Sequence, residues 1–358
     1  MAANGEAAFV NPVPSVPPAA EGTRSRRVAG LDPIRGVLAL IVMLHHGALP
    51  PVMYGYDATH AVLRKLKILF AWSWNGQLAV VGFFLISGFC IHYPYIRRPL
   101  PLAAFYLNRI IRLALPAAVA IVITWLARQR QPFQLDGIPI WSLWSELIYY
   151  AIYPFVLPLL RQGRWKLVLT VAYVLAGCVL LRTAVHIRYT DFGVIGTAIV
   201  GFPVWLLGAR LAEEIFHHRD KFRFPIKISL LRGALFGVGG ITLAIAYWGL
   251  VGLGWTLTAV SPLIYFWVRE EIVRYGTLPE PRWLAVIGQF SYSIYLMHLV
   301  ILGCLERFPL EKLGGNLAWA IQVAAVLGGS YLFYCLVERP SHQLSRRAMA
   351  WIGPAEKR

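Results

Sequence analysis

Apolar blocks of roughly twenty residues recur along this chain, separated by short stretches that hold most of its charges and turn residues. A bilayer core takes about 20 apolar residues per helical crossing, and backbone groups inside it must be satisfied within the segment, which selects helices. The pattern predicts an all-α, polytopic membrane protein with about ten transmembrane helices. They fall near 34–50, 76–96, 112–127, 141–160, 166–183, 193–213, 229–248, 251–268, 284–304 and 317–337. A very short turn near Gly252 separates the seventh from the eighth. Asp32-Pro33 reads as N-cap and first residue of the first helix. Residues 1–30 hold four prolines and the basic cluster Arg24, Arg26, Arg27 with no apolar run. They read as a disordered cytoplasmic tail, not a cleaved signal peptide. Residues 31–340 form the membrane domain, and 341–358 read as a basic cytoplasmic tail. No internal repeat is visible.

Composition agrees: 58% of residues are apolar and 14% charged, against about 25% charged in soluble domains. A formal charge of +17 suits nucleic acid in a soluble protein. In a multispan chain basic residues chiefly mark cytoplasmic loops. With the N-terminus inside, the cytoplasmic segments carry 22 Lys and Arg and the opposite loops nine. That bias places both termini in the cytoplasm. Cys90, Cys178, Cys304 and Cys335 lie in apolar stretches without metal or disulfide spacing and read as buried hydrophobes. No metal site is expected.

Ionisable residues within spans are costly and mark functional sites. The first span runs from Arg35 to His45-His46. Eleven helical steps bring His46 to within roughly 20° of Arg35, about 16 Å along the axis, whereas His45 points roughly 80° away. A neutral imidazole can take a proton near neutral pH. Arg109 and Arg112 are helical neighbours at the cytoplasmic end of the third span, a pairing suited to phosphate; interfacial snorkelling would account for them equally. The fourth span opens WSLWSE. Its Glu146 sits at a depth similar to His46, so a carboxylate–imidazole pair is one reading and an aromatic-belt neighbour another. Ser87-Gly88 in the second span suits close helix packing. The ninth span carries Ser291, Tyr292, Ser293, Tyr295 and His298, where His298 reads first as a structural hydrogen-bonder. Glu338-Arg339-Pro340 reads as a helix stop with a local ion pair.

In order and spacing, these segments resemble the acyltransferase 3 family of integral membrane acyltransferases. The matching stretches are LDPIRG with His46, FFLISGF, the Arg109–Arg112 pair with Pro116, WSLWSE with Tyr149 and Pro154, FPVWLLG, FSYSIYLMH, and Glu338-Arg339-Pro340. The resemblance implies O-acyl transfer, commonly acetyl from acetyl-CoA, to hydroxyls of sugars, envelope glycans or glycosylated natural products. It implies catalytic roles for His46, Arg35 and Glu146, with His46 read as general base and a covalent acyl-histidine intermediate as the alternative. It implies acyl-CoA binding by Arg35, Arg109 and Arg112, and acceptor binding by Trp141, Ser142, Ser291, Tyr292 and His298. Trp144 and Leu147 depart from the residues common there and bear on the acceptor. A stand-alone enzyme of the cell membrane is the expectation, with lipid bilayer, acyl-CoA and a hydroxylated glycan or glycoside as partners, and no nucleic acid. A proton-coupled transporter or flippase would also use buried His, Glu and Arg, but such proteins often show repeats and broken helix pairs. A membrane receptor would leave the Arg35-to-His46 spacing unexplained.

Overall fold

The computed structural model describes residues 28–47, 60–127, 140–182, 189–218 and 227–352. The expected N-terminal tail therefore lies almost wholly outside the described residues. Those described form fourteen α-helices and no strand. In chain order they are α1 (Leu31–Gly47), α2 (Ala61–Ser73), α3 (Gly76–His92), α4 (Leu102–Arg109), α5 (Leu115–Ala127), α6 (Ile140–Arg161) and α7 (Trp165–Leu181). Then come α8 (Gly193–His218), α9 (Ile228–Tyr247), α10 (Leu253–Tyr275), α11 (Arg282–Gln289), α12 (Ser291–Leu305), α13 (Gly315–Phe333) and α14 (Arg339–Ile352).

Among the described residues, six helical stretches are long and apolar enough to cross a membrane, and seven if the bent pair α11–α12 counts as one. Two expected spans, α1 and α7, are 17 residues each. A third, α10, carries Arg269, Glu270, Glu271 and Arg274 in its second half. Three of those charges are matched by packing: Arg269 pairs with Glu214 and Glu270, and Arg232 of α9 grips Glu271 at 2.7 and 2.9 Å. The outward faces carry large apolar side chains such as Phe155, Leu181 and Val62, as a lipid-facing surface requires.

Several expected boundaries shift for identifiable reasons. The third span begins earlier, at α4, and passes into α5 through a π-helical turn at Ile110–Ala114. The ninth is broken at Phe290, where α11 and α12 meet at 70°. The tenth does not stop at Glu338-Arg339-Pro340. A second π-helical turn, Tyr334–Glu338, carries it into α14. A wider turn relaxes the hydrogen-bond ladder where Pro340 supplies no N–H. Residues 341–352, expected in a basic tail, are thus helical and docked. The stretch with Arg64, Lys65 and Lys67, expected as a loop, is helix α2. The short turn near Gly252 is present, with Gly249 at φ +68° after α9.

Close packing is made by small residues, as in other membrane bundles. A Cβ on Gly88 of α3 would lie 1.9 Å from the Trp205 carbonyl oxygen of α8, and one on Gly208 of α8 would lie 1.8 Å from that of Leu85. The packing expected of Ser87-Gly88 is thus reciprocal. Gly36 and Gly288 bring α1 and α11 together in the same way. Trp205, Tyr149, Tyr153, Phe89 and Phe105 are fully buried where α3, α4, α6 and α8 meet. These contacts fix the walls of a polar cavity.

Candidate functional site

A cavity of about 680 Å³ opens between α1, α3, the two π-helical turns, α6, α12 and α14. Most of the candidates from separate parts of the chain meet in it: Arg35, Arg109, Arg112, Ser142, Glu146, Ser291 and Tyr292. Its volume falls within the ~300–1,000 Å³ of small-molecule sites.

One end is cationic. Arg35 on α1 contacts Asp32 at 3.8 Å and points an N–H at Cys90 Sγ, 3.3 Å away. Cys90 is accordingly a cavity residue, and none of the four cysteines is fully buried as expected. Arg109 lies over the rings of Phe105 and Tyr150, at 5.7 and 5.8 Å from their centroids. Its Nε is buried without a hydrogen-bond partner among the described residues. Arg112 is displayed by the first π-helical turn, a feature frequent at functional sites. The Leu113 carbonyl of that turn accepts from the Tyr292 hydroxyl at 2.7 Å.

The wall beside Arg109 is lined by hydroxyls. Trp205 Nε1 donates to Ser87 Oγ at 3.3 Å, Ser87 lies 3.4 Å from the Tyr150 hydroxyl, and Tyr150 donates to Glu146 at 2.7 Å. Ser142 and Tyr295 share a hydrogen bond at the side facing the histidines. Trp141 stands behind this wall, edge-on to Phe84 at 6.3 Å.

His46 and His298 lie beyond Tyr295, not in the cavity lining. Their ring centroids are 5.0 Å apart, and His298 is 6.2 Å from the Tyr295 ring. His46 Nδ1 is 2.9 Å from the Val42 carbonyl oxygen, and His298 Nδ1 is 3.0 Å from that of Ile294. A carbonyl only accepts, so both rings carry their proton on Nδ1 and leave Nε2 as a lone pair. His298 is wholly buried, and its Nε2 has no hydrogen-bond partner among the described residues. The carboxylate–imidazole pair is not formed: the Val42 carbonyl orients His46, while Glu146 faces the cavity and holds Tyr150. His45 turns away as expected, bonding the Trp74 carbonyl at 2.9 Å and resting over Gly76.

Sequence reasoning missed part of the lining: Asn108, Tyr150, Tyr334, Glu338, Arg339, His342 and Arg346. Glu338 is 3% exposed and accepts from the backbone N–H and the hydroxyl of Ser293. The signal for the others was Arg339, His342 and Arg346 recurring at three and four residues, one helical stripe.

The chain is 22% identical over 319 residues to Nodulation protein 10 of Rhizobium leguminosarum bv. viciae, covering 76% of this chain and 83% of that protein. No solved structure matches. The sequence model described as "Acyltransferase domain" matches residues 28–335. That match spans Arg35, Arg109, Arg112, Glu146, His46 and His298, and the chain belongs to the acyltransferase 3 family of membrane acyltransferases.

Proposed function

We propose that this protein is a membrane O-acyltransferase that moves an acyl group, acetyl first among candidates, from acyl-CoA to a hydroxyl of a sugar, envelope glycan or glycoside. The observation that carries this reading is a single cavity that gathers the guanidiniums of Arg35, Arg109 and Arg112 beside the hydroxyls and carboxylate of Ser142, Glu146, Tyr150 and Tyr295. Guanidiniums suit phosphate because their forked donors match its oxygens. The Arg35-to-His46 spacing of about 16 Å suits an extended pantetheine arm reaching inward. In this arrangement α1, α7 and α10 also cross the cell membrane. With the seven stretches above they make ten spans and put both termini in the cytoplasm, consistent with the 22-to-9 charge bias.

In the proposed reaction, His46 Nε2 takes the proton of the acceptor hydroxyl as its oxygen attacks the thioester carbonyl carbon. Collapse of the tetrahedral adduct breaks the C–S bond. The departing thiolate takes the proton from His46, giving the ester and free CoA. The Val42 carbonyl presents the correct tautomer for this role. The Ser142–Tyr295 hydrogen bond stands between cavity and histidine pair, and its opening admits the thioester. The purified protein in nanodiscs, given labelled acetyl-CoA and a panel of hydroxylated sugars and glycosides, should yield an acetylated acceptor by mass spectrometry. Neither transfer nor donor binding across the panel would favour a transporter.

A further inference from the structure

We propose that helix α14 forms a second half of the phosphate clamp, with Arg346 binding the 3′-phosphate on the ribose of the CoA donor. The proposal rests on the acyl-CoA reading above. It concerns residues beyond 335, where the family match ends.

First, α14 is docked. Ser345 is fully buried and donates to Asn108 Oδ1, the residue next to Arg109. Ser341, also buried, donates to the Glu338 carbonyl at 2.7 Å. The Ser345 contact thereby fixes the helix to α4, which carries Arg109.

Second, its charged stripe faces the cavity. Arg339, His342, Arg346 and Met349 all line it, at the spacing that stacks side chains on one helix face. Arg347 is about 100° around from Arg346 and is absent from that lining.

Third, these guanidiniums are available. Among the described residues Asp32 contacts Arg35, Glu146 is bonded by Tyr150, and Glu338 is taken up by Ser293 with His342 at 3.9 Å. Among the described residues no carboxylate forms an ion pair with Arg109, Arg112, Arg339 or Arg346.

Fourth, the order along the cavity matches the donor. Glu338 is anchored to Ser293 near the start of α12, and His298 lies further along that helix, away from α14. Arg346 lies about 12 Å beyond Glu338 in the opposite direction. A donor with its thioester toward the histidines puts its nucleotide outermost. CoA carries phosphate in two places, a pyrophosphate and a 3′-phosphate, and the cavity offers arginines on two walls. Arg109 and Arg112 meet the pyrophosphate, Arg346 meets the 3′-phosphate, and Met349 offers an apolar contact to the base.

Lipid headgroups present the same phosphate chemistry to an exposed arginine. The test therefore uses the full-length protein in nanodiscs of neutral and of anionic lipid, and measures binding of acetyl-CoA and acetyl-dephospho-CoA. Wild type should prefer acetyl-CoA roughly ten- to a hundredfold, as expected for one charge-assisted contact to phosphate. Arg346→Ala should erase that preference by weakening acetyl-CoA alone, Arg346→Lys should keep part of it, and Arg347→Ala should keep all of it. A retained preference in Arg346→Ala overturns the proposal. So does an equal loss for both donors, or a loss seen only with anionic lipid, which assigns the arginine to headgroups. If wild type binds neither donor, the acyl-CoA reading fails as well.

Discussion

Glu338 joins the last composite helix to the start of α12, and removing its carboxyl group tests that join. Ser293 is the third residue of α12, so its N–H belongs to the first helical turn, where donors lack intrahelical acceptors. The 70° break at Phe290 creates this free helix end inside the protein, and Glu338 caps it from another helix at 3.1 Å. Glu338→Ala strands that N–H in a buried place. The expected cost is about 1–3 kcal/mol, the penalty for a buried donor left unsatisfied, in the range of a lost helix cap. Glu338→Gln keeps an acceptor oxygen and should cost about 1 kcal/mol, one net hydrogen bond. Ser293→Ala removes only the hydroxyl contact. Its hydroxyl and the Glu338 carboxyl are one unit, so the double variant should be less destabilised than the sum of the singles by ~0.5–3 kcal/mol. The assay is denaturation in mixed micelles with sodium dodecyl sulfate, followed by tryptophan fluorescence. Additive single effects, or Glu338→Gln as damaging as Glu338→Ala, would refute the capping argument.

Gly208→Ala should lower the melting temperature and the yield of folded protein. Its Cβ would meet backbone, the Leu85 oxygen at 1.8 Å, and overpacking costs ~1–3 kcal/mol or more. Gly177→Ala, with nothing within 4 Å, is the control in the same fluorescence-detected melt. Arg109→Lys should weaken CoA binding in part and the Arg109→Ala/Arg112→Ala double variant far more, with acceptor affinity unchanged, as calorimetry can read. Wild-type donor binding should weaken as salt screens the phosphate contacts. A cysteine placed at Phe308, an exposed position after α12, should react with an impermeant reagent in intact cells. Protection there would reverse the proposed topology.

The apolar blocks made the all-helical fold legible, and intramembrane charge picked out Arg35, Arg109, Arg112 and Glu146, because polar groups in a bilayer need a reason to be there. Periodicity also separated His46 from His45 correctly, a property of one helix alone. What stayed illegible depends on contacts between helices. Glu146 and His46 share a depth, but sequence gives no azimuth of α6 against α1, so their pairing was a guess that Tyr150 and Val42 displace. The π-helical turns at Ile110–Ala114 and Tyr334–Glu338 have no composition signature. The second, together with Pro340, made a continuing helix read as a stop. Arg339 and Arg346 then read as cytoplasmic charges, although their helical spacing with His342 is visible in the sequence.

The most direct test of the central claim is a single-turnover measurement of acetyl transfer by His46→Ala, with donor binding measured on the same sample. The account predicts a rate lower by ~10²–10⁴, with acetyl-CoA affinity near wild type and His45→Ala close to normal in both. A near-normal rate in His46→Ala, on protein that still binds the donor, would contradict it.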